Sequence, residues 1–171
     1  LASTRFFKKY PKRAINVGVA EANMIGVAAG LANMGKLPFT HTFTPFATRR
    51  VFDQVMLSVA YAKLNVKMVG SDPGVLAEIN GGTHMSFEDV GIMRNIPTMV
   101  IFEPVDGVQL AGMFPHIINH YGPVYIRLGR KDFAPIFADD QVFELGKAIP
   151  IVEGTDVSIF ATGIMDKEEL D

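Results

Sequence analysis

The sequence predicts an α/β domain of three layers, a mostly parallel sheet with helices on both faces. Three observations predict it. Short apolar runs alternate with longer segments of helical periodicity along most of the chain. Runs such as Thr98–Phe102 are apolar almost throughout, as strands covered on both faces are. Gly, Pro, Asn or Asp residues punctuate the changes from one pattern to the next.

Taken in order, Ala14–Val17 is a short buried strand candidate, with charge before it and Gly18 after it. Glu21–Met34 places Met24, Val27, Ala28 and Leu31 at helical spacing, and Gly35 ends it as a C-cap. Pro38–Phe43, rich in Thr and Phe, predicts a strand. Pro45–Lys63 predicts a helix with Val51, Phe52, Val55, Met56, Val59 and Ala62 on one face. Pro45 suits its first turn, where a missing N–H costs nothing. Val66–Gly70 is the next strand. Asp72–Thr83 is a Gly-rich loop, and Ser86 is placed to cap a short helix that ends before Pro97. Thr98–Phe102 and Val124–Leu128 are strands. Between them Val105–His120 is a helix in which Pro115 predicts a break or kink.

From Ala134 to Gly154 the pattern turns irregular and predicts a linker. Asp156–Thr162 is a further strand candidate, followed by a helical pattern from Asp166 that stops almost at once. The expected organisation is one domain over residues 1–133, a linker over 134–154 and the start of a second α/β domain over 155–171. The absence of an initiating Met fits a piece of a longer chain.

Composition narrows the function classes. The chain has 171 residues, and 49% apolar content is enough for a sizeable core. A net charge of −2 with both signs interspersed gives no basic stripe for nucleic acid. With no Cys there is neither a disulfide framework nor a thiolate metal site. Apolar runs such as Ile15–Ala22 are too short to span a bilayer. The expected setting is the cytoplasm, with no membrane and no nucleic-acid partner. No P-loop, dinucleotide fingerprint or nucleophile elbow occurs.

Four segments carry chemistry-bearing residues beyond expected strand ends, where ligands bind in parallel sheets. Glu21 stands among small and apolar residues where a buried strand would turn into a helix. Desolvation there would raise its pKa, although on spacing alone a first-turn Glu favoured by the helix dipole is the simpler account. Phe43 and Phe46 have the spacing to sandwich a flat heterocycle, or simply to join the core. His84, after Gly81 and Gly82, can meet a substrate hydroxyl or serve as acid or base, or sit solvated in a turn. Arg130, just past a strand, can grip an anion bidentately or be a surface Arg. Arg127 alternates to the other face and need not act with it. His116 and His120 share a helix face but lack a third ligand.

Read together, four blocks resemble the transketolase family. RAINVGVAEANMIGVAAGLA (13–32) is similar to its N-x-G-[IV]-x-E-x-x-M stretch. LPFTHTFTPFATRRVFDQV (37–55) is similar to its T-F-x-x-F block. GSDPGVLAEINGGTHMSFEDVGIMRNIPTMVIFEP (70–104) resembles its G-x-T-H-x-x-x-E-D region, and PVYIRLGR (123–130) its last strand. The order and spacing match over nearly the whole chain. The split, two-subunit transketolases look closest, with 1-deoxyxylulose-5-phosphate synthases the nearest alternative. A scaffold or regulatory subunit of the same fold is the non-enzyme alternative.

The resemblance implies the pyrimidine-binding domain of a thiamin-diphosphate enzyme that moves a two-carbon ketol unit between sugars or sugar phosphates. It implies that Glu21 hydrogen-bonds the cofactor's aminopyrimidine, that Phe43 stacks on that ring and that Phe46 lines the same pocket. It implies that His84 and Asn80 contact substrate, and that Arg130, with Ser3, binds a phosphate. The family's diphosphate motif, which holds Mg2+ or Ca2+, does not occur here. A diphosphate-binding transketolase subunit or domain is therefore expected as partner, in a heterotetramer or a homodimer. Two positions depart from the family. Asn80 stands where Asp is usual, and Asp72 stands near the place of a phosphate-binding His. An acid there would repel phosphate, so a modified donor or acceptor is expected.

Overall fold

The computed structural model describes residues 3–130 and 134–163. Helix α1 (Ser3–Lys9) precedes α2 (Glu21–Asn33). Strand β1 (Phe39–Phe43) runs into a broken helical stretch of α3 (Thr44–Ala47), a 3-10 turn (Arg49–Val51), α4 (Phe52–Gln54) and a π-helical segment (Val55–Tyr61). Then come β2 (Lys67–Ser71), a 3-10 segment (Gly74–Asn80), α5 (Asp89–Met93), β3 (Val100–Phe102), α6 (Gly107–Asn119) and β4 (Val124–Leu128). The four strands form one sheet in the order β1-β2-β4-β3, every pair parallel.

Strand alternation divides the sheet's side chains between two cores. Met68 and Tyr125 point to one face, where Ile25, Ala28 and Ala29 of α2 meet Val51, Val55 and Val59. Val124 and Ile126 point to the other, against Met113 and Ile117 of α6. Those two residues lie one helical turn apart, so α6 buries a single stripe. Residues 134–154 hold neither helix nor strand, yet Phe137, Phe143 and Ile149 pack onto this second core. Asp106 secures the crossing. It caps α6 through the Gln109 amide at 2.7 Å and also accepts from the Ile136 and Phe137 amides.

Several expectations need correction. Ala14–Val17 and Asp156–Thr162 are not strands; neither pairs with the sheet, and Ile15, Val157 and Phe160 are exposed. An apolar run becomes a strand only where an edge is free to pair it. Ser86 does not cap α5: its N-cap is Glu88, and no side chain bonds the cap. Pro115 does not break α6, which runs through it to Asn119. Pro115 and Ala111 both lie on the exposed side, so the carbonyl that Pro115 leaves without a donor is open to solvent. The helix expected from Asp166 lies outside the described residues.

Arg127 and Lys67, the cations drawn into the fold, are hydrogen-bonded, one to carboxylates and the other to backbone carbonyls. The Arg127 guanidinium donates from Nε to Asp89 at 2.8 Å, while NH1 reaches Glu103. Burial opposes its charge, but the two carboxylates outweigh burial and push its pKa up. The Tyr125 hydroxyl donates to the same Asp89 at 2.7 Å. Burial, then Asp89, pushes its ionisation well above the ordinary tyrosine range. Lys67 is fully buried and donates to the carbonyls of His120 at 2.7 Å and Gly122 at 2.9 Å. It thus ties the turn before β4 to β2, and burial pushes its pKa down to about 8.

The Lys67 shift has a pH signature. Unfolded, the amine keeps its proton up to roughly pH 10.4. Between there and about 8 the unfolded chain binds more protons, so stability rises with pH across that window. Above roughly pH 10 the Tyr125 phenol reverses the trend, because only the unfolded chain releases that proton. Denaturant titrations should show the midpoint climbing from pH 8 to 10 in the native sequence and a shallower climb in Lys67→Met. Equal slopes in the two proteins would remove Lys67 as the cause.

Candidate functional site

Because all four strands are parallel, their carboxyl ends open on one edge of the sheet. Phe43, Ser71 and Leu128 are in register at that edge. Two bonds fasten the β1 end to the β2 end. The Thr44 hydroxyl donates to the Ser71 carbonyl at 2.9 Å, and the Thr48 hydroxyl to the Thr44 carbonyl at 2.7 Å. Gly70 permits the approach: a Cβ there would lie 2.9 Å from the Tyr125 oxygen and 3.1 Å from the Thr44 Cα. The fastening aims Phe43 and Phe46 to the same side of the edge.

Three rings meet there. The Phe43 and Phe46 centroids are 6.2 Å apart, and His84 stands 5.1 Å from each, edge to face. His84 is thus half-buried between two phenyl rings rather than solvated in its turn. Its Nδ1 lies 2.9 Å from the Thr83 hydroxyl. Arg49 braces this loop through a 2.7 Å ion pair with Glu88.

Glu21 opens α2 with its side chain 11% exposed. Its carboxylate does not meet the apolar surround that the sequence suggests. It accepts from the Arg50 guanidinium at 3.0 Å, and that guanidinium lies 3.8 Å over the Phe46 ring. Arg50 therefore joins Glu21 to the aromatic cluster. Sequence reasoning passed over it, although Phe46 and Arg50 stand at i, i+4 in a helical pattern and so are natural neighbours.

Arg130 extends the line on the other side. Its guanidinium lies 5.2 Å from the Phe43 centroid, forms an ion pair with Asp72 and reaches the Asn80 amide oxygen at 3.3 Å. Asp72, Leu76, Ile79, Asn80 and Arg130 line a cleft of about 290 Å³. Asp72 is buried in the left-handed region at φ 57°, and its N–H donates to the Leu128 carbonyl at 2.8 Å. Arg127 takes no part, being committed to Asp89 and Glu103.

Glu21, Phe46, Phe43, His84, Asn80 and Arg130 thus form one continuous line of contacts, in which the structure adds Arg50 and pairs Asp72 with Arg130. The Ser3 side chain lies outside those described. Among the described residues no group of three His, Cys, Asp or Glu is arranged to hold a metal ion, and no helix is long and apolar enough to cross a membrane. A flat group with N–H donors can lie on Phe46 with Glu21 as its acceptor, since the Arg50 guanidinium makes those two contacts. The aminopyrimidine of thiamin diphosphate is such a group.

Comparison with known proteins identifies the family and the fold. Residues 2–135 match the family model described as transketolase, pyrimidine binding domain. The 6-deoxy-6-sulfo-D-fructose transketolase subunit SqwH of Clostridium sp. (strain MSTE9) is 67% identical over 97% of this chain and 52% of its own length. A putative transketolase C-terminal section from Methanocaldococcus jannaschii is 42% identical over 92% of this chain and 51% of its own. Among solved structures, a split gene transketolase described as an inactive beta4 tetramer superposes with a TM-score of 0.87. It is 40% identical, covering 99% of this chain and 55% of that one. The chain spans about half the length of these relatives.

The close approach at Gly70 is testable. Gly70→Ala should destabilise the fold by about 1–3 kcal/mol, because neither the Thr44 backbone nor the buried Tyr125 ring can give way freely. Chemical denaturation measures it, and an unchanged midpoint would mean that the β1 end is not fixed by this contact.

Proposed function

As this chain belongs to the transketolase family, whose pyrimidine-binding domain it carries, we propose that it supplies that half of an active site moving a two-carbon ketol unit between sugars. The observation carrying this is the Arg50 guanidinium, planar and rich in N–H, stacked on Phe46 and bonded to Glu21. A heterocycle with the same two properties takes its place. Bound there, thiamin diphosphate supplies the nucleophilic carbon and the electron sink for cleaving the bond beside a ketose carbonyl.

This chain's own residues bind and orient. Glu21 holds a proton at the aminopyrimidine ring nitrogen, and Phe43 and Phe46 fix the ring plane. His84, packed on both phenyls, donates to a substrate hydroxyl near the reacting carbons. Asn80 and Arg130 hold the sugar farther along. The identity of 67% to a subunit named for 6-deoxy-6-sulfo-D-fructose makes a sulfonated ketose the proposed donor. The departure at Asp72 supports a donor other than the usual phosphate.

The diphosphate and its Mg2+ or Ca2+ fall to a partner subunit or domain. Val19, Ile79 and Phe87 are exposed large apolar residues close in sequence to Glu21, Asn80 and His84, as befits a surface that another chain covers. A heterotetramer with such a partner, in the cytoplasm, is the proposed working form. Within the chain, the pyrimidine-binding unit ends near residue 133, a linker covers 134–154, and 155–171 opens a C-terminal α/β domain.

Two-carbon transfer by the assembled enzyme, with thiamin diphosphate and Mg2+ and a panel of ketose donors, tests the proposal. Glu21→Gln keeps the shape and removes the acid, so it should lower kcat by roughly 100-fold or more. Full activity in that variant would exclude Glu21 from the role. Turnover of pyruvate in place of ketoses would point to the deoxyxylulose-phosphate chemistry instead.

A further inference from the structure

Asp72 poses a question that stability does not answer. An acid buried to 1% exposure sits in the left-handed region, pinned by its own N–H to Leu128. Its ion-pair partner, Arg130, has a side chain 45% exposed, and a bridge to so exposed a partner contributes little to folding. What the pair does is set the charge of the cleft beside it. Arg130 contributes one positive charge and Asp72 one negative, and these cancel. The other lining residues, Leu76, Ile79 and Asn80, carry none.

We infer that Asp72 makes this cleft a seat for a singly charged terminal sulfonate and turns away the doubly charged phosphate of an ordinary sugar phosphate. The inference rests on the two-carbon transfer proposed above and assigns the residue that chooses its donor. Arg130 spends Nε on Asp72 and one NH2 bond on Asn80, leaving further N–H groups to hydrogen-bond an anion. A sulfonate brings one charge and three acceptor oxygens. A phosphate ester near pH 7 brings a charge of roughly −1.5 to −2. With Arg130 already balanced by Asp72, the cleft has no spare cation, so repulsion by the buried carboxylate grows with the anion's charge and falls hardest on the phosphate. Position fits the assignment. The cleft joins the aromatic cluster through Arg130 over Phe43, on the far side of the cluster from Glu21. A ketose reacting beside Phe43 and His84 would extend its far end into it.

The test compares two donors, 6-deoxy-6-sulfo-D-fructose and fructose 6-phosphate, in the assembled enzyme. Asp72→Asn keeps the shape, and Asn also tolerates the left-handed backbone. It should raise the ratio of kcat/KM for phosphate over sulfonate about tenfold, with the change falling mainly on the KM for the phosphate. Asn80→Asp changes an exposed residue, so it reads the same electrostatics even if the buried variant fails to fold. It should lower that ratio several-fold. Ratios that stay within about twofold of wild type, while the wild type uses either donor, would overturn the inference and leave the proposed function standing. A wild-type enzyme that transfers from neither donor would overturn the proposed function, and the inference with it.

Discussion

One half-buried guanidinium, that of Arg127, holds the working edge of this sheet together. Arg127, near the end of β4, bonds Asp89 at the start of α5 and Glu103 just past β3, and Tyr125 bonds the same Asp89. Taking these charges out of water costs several kcal/mol per ion, returned only while every partner stays in place. The result is a constraint on position. The segment from Asp72 to Asp89, which carries Asn80 and His84, is fixed at one end by the Asp72 amide on Leu128 and at the other by Arg127 on Asp89. A long Gly-rich loop between two anchors is defined well enough to place a histidine between two phenyl rings.

The same economy governs the site itself. Glu21 is paired with Arg50, Asp72 with Arg130 and Glu88 with Arg49. Each bridge has one well-exposed partner; Arg49 and Arg50 can give way to a ligand at small cost, whereas the buried Asp72 keeps Arg130 in place. This distinguishes them from the Arg127 cluster, whose members are mostly out of solvent. The rigid pairs position the loops, and the more exposed pairs lie along the edge that carries the aromatic cluster.

Much of this was legible in the sequence. β2, β3 and β4 fall on apolar runs bounded by Gly, Pro or charge, β1 on a stretch rich in Thr and Phe, and α2 and α6 on helical periodicity. Glu21, Phe43, Phe46, His84 and Arg130 are legible as residues beyond expected strand ends, where side chains converge in a parallel sheet, and Asn80 through the family resemblance. Ala14–Val17 was misjudged because pairing is a property of two segments and the run shows only one. The expected helix over 45–63 breaks where the Thr48 hydroxyl turns back onto the Thr44 carbonyl. The Arg50–Glu21 pair spans 29 residues and the Arg127–Asp89 pair 38, so no local pattern announces either. Asp72 was visible as a departure from the family, but its partner was not.

The central claim is that Glu21, Phe43 and Phe46 form the seat of a flat, nitrogen-bearing ring. Calorimetric titration of the assembled enzyme with thiamin diphosphate, native against Phe43→Ala, addresses it without any turnover. Loss of a ring contact worth roughly 1–1.5 kcal/mol predicts affinity about tenfold weaker in the variant, with the fold intact. Equal affinity in the two proteins would place the cofactor's ring elsewhere and contradict the account.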